Sequence, residues 1–229
     1  MMGVISRETA GHARRQRLRA HYRQVPDVLV RFVVSEAFAS RGGELGLLGV
    51  PDGLGSSVTY KSLYYWLLVT TLYDARYYLK TDDDAVLSLP VLLDLLAAAD
   101  TAAARDAPPG APPLVLAGDI NWGTFDLQAL EGHCWSTRAA HSLGSKHTQC
   151  PLEFGPVPFA TGALIVLSKA VAVQLRATLG ATGWLKRADL NSYFEDRLIG
   201  LAVSRDSRPV HLLYLNPYDH YDASAGMHA

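Results

Sequence analysis

Short apolar runs and longer helical stripes alternate along this chain, and their alternation predicts its elements. Met2-Gly3-Val4-Ile5 reads as the stub of a strand, and Arg7 to Tyr22 is polar and helix-prone. Val28 to Val34 is a near-continuous apolar run typical of a buried strand. Gly42 to Gly55 carries turn residues and reads as a loop. Ser56 or Ser57 can cap a helix running to Tyr73, with Leu63, Trp66, Leu67 and Thr70 on one face. A strand is predicted over 76–80, then a helix from Leu89 to Ala99 with Pro90 in its first turn, where a missing N–H costs nothing. The Pro-rich stretch 106–113 reads as a surface linker before a strand at Leu114 to Ala117. Phe159 to Ala163 leads into a strand at Leu164 to Leu167 and a helix from Ser168 to Leu179. A further helix begins near Tyr193 and carries Glu195-Asp196, and Val210 to Leu215 is the last strand. Strands alternating with helices predict an α/β domain with a mainly parallel, twisted sheet.

The strand at 76–80 runs straight into Asp82-Asp83-Asp84. The acids therefore stand at a strand end, where open α/β sheets place their ligands. Carboxylates about 6 Å apart repel by roughly 2–3 kcal/mol per pair at an effective dielectric of about 20. Three together suggest a cation, and oxygen ligands favour magnesium or manganese over a thiol-loving metal. The plainer alternative is that they cap the following helix, which one Asp would suffice to do.

Composition narrows the field. The chain has 229 residues, 49% of them hydrophobic, enough for one domain with a sizeable core. Its 21 basic and 22 acidic residues leave a net charge of −1, so no global field points to nucleic acid. Cys134 and Cys150 could close a loop of about 15 residues, worth roughly 3 kcal/mol, in an oxidising compartment; otherwise they are ordinary buried thiols. Metal ligation with His133, His141 or His147 is the weaker reading, because no CxxC-type pair is present. No stretch reaches the 18 or more apolar residues of a membrane span, and the N-terminus is too short for a signal peptide. The chain is then either soluble or lacks its targeting segment.

Five segments resemble one family in order. Arg14-Arg15-Gln-Arg-Leu18-Arg19-Ala-His-Tyr22 resembles the "RRxxIRxTW" opening of the β1,3-galactosyltransferase type of glycosyltransferase (family 31). Thr59-Tyr60-Lys61-Ser62 resembles its "LTxKT", and Tyr78 to Asp84 its "YxLKTDDD". Pro158 to Ser168 resembles "PpYaxGxgYvlS", and Glu195 to Gly200 resembles "EDVyvG". A lone DxD is weak; the ordered set, covering most of 14–200, is specific. The resemblance implies a GT-A type, Rossmann-like single domain over 1–229, truncated at one or both ends, since family members continue beyond Ala229. It implies an inverting, metal-dependent hexosyltransferase that moves galactose or an N-acetylhexosamine from a UDP-sugar to a glycan or glycoprotein acceptor in a β1,3-type linkage. It also implies Mn2+ (or Mg2+) and a Golgi-lumen setting, with a membrane anchor outside this chain.

Carried over residue by residue, the resemblance makes Asp84 the metal ligand, with Asp82 or a late histidine (His211, His220 or His228) as further candidates. Asp82 would contact the ribose and Asp83 support it. Asp196 would be the base that takes the acceptor proton, a contribution of about 10²–10⁴ in rate, with Glu195 orienting the acceptor or the base. The pair could instead simply cap its helix. Arg15 and Arg19, four apart on one helix face, would reach the nucleotide or its diphosphate, whereas Arg14, Arg17 and Arg23 read as a solvated basic face. Lys61 is placed near the donor, or else on the surface. Phe159 and Gly162 would shape the sugar pocket, Gly162 by letting backbone approach the ligand, or would merely begin a strand. Arg197 replaces the family's valine and puts a charge beside the base. Two other function classes remain: a relative that binds nucleotide-sugar or glycan without turnover, and a magnesium phosphohydrolase, which leaves Glu195-Asp196 unexplained.

Overall fold

The computed structural model describes residues 1–51, 57–106, 108, 110–126, 153–186, 195–205 and 209–215. Cys134 and Cys150, His133, His141, His147, His220 and His228 lie outside these residues. Among the described residues there are seven strands, β1 (Met2–Ile5), β2 (Val30–Ser35), β3 (Leu47–Val50), β4 (Tyr77–Asp82), β5 (Val115–Asp126), β6 (Glu153–Ser168) and β7 (His211–Tyr214). The helices are α1 (His12–Tyr22), α2 (Glu36–Ser40), α3 (Val58–Leu72), α4 (Leu89–Asp106), α5 (Lys169–Thr182) and α6 (Glu195–Ser204).

One sheet takes the order β3-β2-β1-β4-β6-β5-β7. β6 pairs antiparallel with both its neighbours, and every other pairing is parallel. The expected mainly parallel α/β sheet is therefore present, with one reversed strand. The predicted stub β1 is the middle of its parallel half, buried at every position. It carries Gly3 because the Tyr65 ring lies on it: a Cβ there would come within 2.3 Å of that ring. Tyr65 then donates its hydroxyl to the Leu79 carbonyl, tying α3 to β4.

Sheet faces of this kind need helices on both sides. Leu63, Trp66 and Val69 of α3 pack with Leu175 of α5 and Leu201 of α6 on one face. Leu18 and Tyr22 of α1 pack with Leu92 and Leu96 of α4 on the other. α3 begins where Ser57 accepts the Tyr60 N–H at 3.2 Å, the predicted cap.

Several ends shift by a few residues, the short α2 was not predicted, and three larger differences from the sequence prediction stand out. β3 lies inside the predicted loop 42–55, because a four-residue strand is too short to show a period; Gly42, Gly43 and Gly46, all at positive φ, turn the chain into it. α4 continues to Asp106 through an alanine-rich stretch of high helix propensity. β5 and β6 run past the predicted strands and pair as far as Asp126 and Glu153. Among the described residues no helix is long and apolar enough to cross a membrane.

Candidate functional site

The strand order reverses between β1 and β4, so their C-terminal ends diverge into loops on either side of a crevice. That switch point is where open α/β sheets bind ligands. Residues 6–10 follow β1 there and Asp82 to Asp84 end β4, enclosing with Arg14 and Lys61 a cleft of about 530 Å³.

The three aspartates have three different environments. Asp83 is buried and accepts from Ser6 Oγ at 2.7 Å, the Arg7 N–H at 3.3 Å and Arg14 Nη1 at 3.0 Å. It ties the loop after β1 to the tip of β4. Asp82 Oδ1 is 2.9 Å from Lys80 Nζ. Asp84 keeps 66% of its side chain exposed, with Arg14 Nη1 at 3.9 Å. The repulsion inferred from the sequence is thus met largely by two protein cations, Lys80 and Arg14.

Lys80 is fully enclosed and donates to the Gly162 carbonyl, Asp82 and, at 3.1 Å, Glu195 Oε1. Burial alone would lower its pKa; the Asp82 and Glu195 carboxylates more than offset this and raise it, so Lys80 stays charged. Gly162 allows the contact, since a Cβ there would lie 2.9 Å from Glu195 Oε1. Its glycine thus admits a protein carboxylate at close range. Next along α6, Asp196 accepts the Arg197 N–H at 2.7 Å. Burial, then the neighbouring Glu195 charge, lifts the Asp196 carboxyl to about 6. The Arg197 guanidinium lies 5.6 Å from the centre of the Phe159 ring. Phe159 itself is buried and touches the backbone of Gly200, so it seats α6 on β6 instead of facing an open pocket.

The arginines correct the sequence reading. Arg15 is fully buried, and its five N–H groups are all engaged: Glu44 takes two, and Ser6 Oγ and the carbonyls of Arg7 and Glu8 take the rest. None is left for a diphosphate, so Arg15 shapes the loop after β1. Arg19 lies over the Phe32 ring and donates to Glu44 and the Leu45 carbonyl, away from the cleft. Arg15, with His12 and Arg19, holds the Glu44 carboxyl far below the usual carboxylate range. Arg14, read from sequence as solvated, is the arginine of α1 that lines the cleft, together with Arg7 of the loop after β1. Lys61 also lines it, donating to Glu8 Oε1 at 2.7 Å and the Ser6 carbonyl at 3.0 Å. Its surface-lysine alternative fails, since its side chain is only 4% exposed.

His211 is not a companion ligand of Asp84. It is level with Val115, Ser168 and Tyr77, at the opposite end of the sheet from the aspartates. The register puts it roughly 16 Å along the strands and 14 Å across them from Asp82. Among the described residues no group of three or more His, Cys, Asp or Glu side chains is arranged to hold an ion. A divalent ion held by one or two carboxylates, substrate phosphates and water needs no such group. The exposed carboxylate of Asp84, at the mouth of a cleft that also carries Arg14 and Lys61, fits that kind of site.

Lys80 and Glu8 escaped the sequence reading, which also put Arg14 in solvent. Lys80 did carry a signal: a lysine within an apolar strand needs a buried counter-charge, and Asp82, two residues on, points to the same face.

No protein-family profile matches the chain, and no curated protein matches it. Among solved structures it is similar to a mannose-1-phosphate geranyltransferase from Thermus thermophilus, at 14% identity over 93% of this chain and 73% of the other, with a TM-score of 0.42. It is also similar to the galactosyltransferase LgtC in complex with donor and acceptor sugar analogs, at 14% identity over 94% and 73%, with a TM-score of 0.40.

Proposed function

We propose that this chain is an inverting glycosyltransferase that moves a hexose from a UDP-sugar to a hydroxyl of a glycan acceptor. One observation carries the reading. The five segments that resemble the β1,3-galactosyltransferase type are far apart in sequence, yet they meet around the end of β4: Arg14, Lys61 and Asp82 to Asp84 line one cleft, and Lys80 links Asp82 to the Gly162 carbonyl and to Glu195, the neighbour of Asp196. Segments that served packing alone would have no reason to gather charged and polar side chains at the end of one strand beside a switch point.

In this reading the cleft takes the nucleotide and its diphosphate, with Arg14 and Lys61 supplying positive charge. Asp196 takes the proton from the acceptor hydroxyl as that oxygen bonds to the anomeric carbon. The bond from that carbon to the diphosphate oxygen breaks on the opposite face, and UDP leaves with the electron pair. A carboxyl titrating at about 6 is ionised at neutral pH yet more basic than an ordinary aspartate, which suits the role. Asp84, and with it Asp82, would hold a manganese or magnesium ion, which when bound supplies Lewis-acid neutralisation of the diphosphate. Galactose or an N-acetylhexosamine as donor sugar, a β1,3-type linkage and a Golgi-lumen setting with the anchor outside this chain complete the proposal.

The discriminating experiment is calorimetric titration of UDP with and without manganese, together with UDP release from UDP-galactose and UDP-N-acetylglucosamine over a glycan panel. Wild type should bind UDP in a manganese-dependent manner, and Asp84→Asn should lose that dependence; unchanged affinity removes Asp84 from the metal site. Binding without UDP release would favour the non-catalytic relative, for which the half-buried Arg197 beside Asp196 is the specific observation.

A further inference from the structure

A lysine enclosed on all sides in a sheet is costly unless its charge is matched, and Lys80 has three oxygen partners drawn from three elements. One is the carboxylate of Asp82 on its own strand. The second is the Gly162 carbonyl, in the stretch between Ala160 and Ile165 where the pairing of β6 with β5 is interrupted. The third is Glu195, the first residue of α6. A helix begun by two adjacent carboxylates has no reason of its own to point one inward and leave the other for chemistry. The ammonium supplies the reason. We propose that Lys80 is a positioning residue: it holds the Glu195 carboxylate against the tip of β4, and so sets where the first turn of α6 presents Asp196 and screens Asp196 from the Glu195 charge. This rests on the reading of Asp196 as the base.

The surroundings of Asp196 make the screening readable. Among the described residues, the charges bearing on it are Glu195 and Arg197 from α6 and Lys80 from β4. β6 adds the Phe159 ring and Gly162 on that side, and α3 and α5 pack against the apolar face of α6 formed by Leu198, Leu201 and Ala202. Glu195 disfavours ionisation of Asp196, and Lys80 favours it. Loss of the lysine leaves the Glu195 and Asp82 charges without their counter-ion, while loss of both Lys80 and Glu195 returns the cluster to its wild-type net charge, carried by Asp82.

The test is a carboxyl carbon-13 titration of the ligand-free chain, with Asp196 assigned from the spectrum of Asp196→Asn. Lys80→Met should raise the Asp196 midpoint by on the order of one pH unit. Lys80→Met/Glu195→Gln should bring it back toward wild type, which a merely structural role for the lysine does not predict. A midpoint in Lys80→Met within a few tenths of wild type, or a double variant no closer to wild type than the single, overturns the proposal. If Lys80→Met does not fold, Gly162→Ala puts the same question without removing a charge, because its methyl would lie 2.9 Å from Glu195 Oε1 and displace that carboxylate from its place beside the lysine. The Asp196 midpoint should then rise as well, and an unchanged value overturns the proposal. In the turnover arm, Lys80→Met should lower kcat by at least roughly tenfold. Failure of the enzyme reading is seen separately, in a wild-type chain that releases no UDP, whereas the titration needs no ligand.

Discussion

Identical side chains take different roles at the tip of β4 because their neighbours differ. Asp83 is a strut held by Ser6, Arg7 and Arg14, Asp82 is the counter-ion of Lys80, and Asp84 looks outward. Asp196 is the residue whose environment has the clearest thermodynamic consequence. An unfolded aspartate titrates near 3.9; in the fold this one is pushed up to about 6, chiefly by burial. Between those values the folded chain holds the extra proton, so stability falls as pH rises from about 4 to 6, and the full cost stands above that window. Asp196→Asn should therefore be more stable than wild type at pH 8, by up to about 3 kcal/mol, with the gain vanishing below about pH 4. Thermal melts across that range check the sign, and turnover of the same variant should collapse. A variant that turns over at the wild-type rate disqualifies Asp196 as the base.

At the scale of elements, the site depends on how α6 is seated. Gly200 faces β6 so closely that a Cβ would lie 2.4 Å from Phe159 Cβ and 2.7 Å from the Pro158 carbonyl oxygen. Alanine in an exposed helix interior normally stabilises by about 1 kcal/mol relative to glycine. Here the sign should reverse: Gly200→Ala should destabilise by about 1–3 kcal/mol, the range for overpacking. Because the helix must lift, Glu195 and Asp196 should move with it and turnover should fall. Urea unfolding beside an activity assay tests both, and a stabilised Gly200→Ala would mean that α6 does not sit on Phe159. Helix boundaries set by caps were legible, as with Ser57 before α3. β3 was not, because its four residues borrow their order from β2 through parallel pairing, a long-range contact that no local pattern records.

At the scale of the molecule, one reversed strand among seven puts the ends of β1 and β4 at the site and the start of β7 at the far end. His211→Ala should therefore leave manganese-dependent UDP affinity unchanged, as read by the titration used for Asp84→Asn. A large loss of affinity would contradict the register. The same geometry separates the arginines of α1: Arg14 projects toward the end of β4, while Arg15 and Arg19 turn to Glu44 in the segment between α2 and β3. Sequence spacing of four correctly put Arg15 and Arg19 on one helix face. It could not say which face meets the cleft.

The order of elements and the five ordered segments were legible because they rest on local pattern: apolar period, capping residues and short motifs read along the chain. The acids were rightly placed at a strand end for the same reason. Which carboxylate has a buried cation, which arginine is fully engaged and which histidine is out of reach are decided by residues 25 to 115 positions apart meeting in space. Desolvation and ion pairing fall off within a few ångströms, so those roles exist only once the sheet has closed the distances.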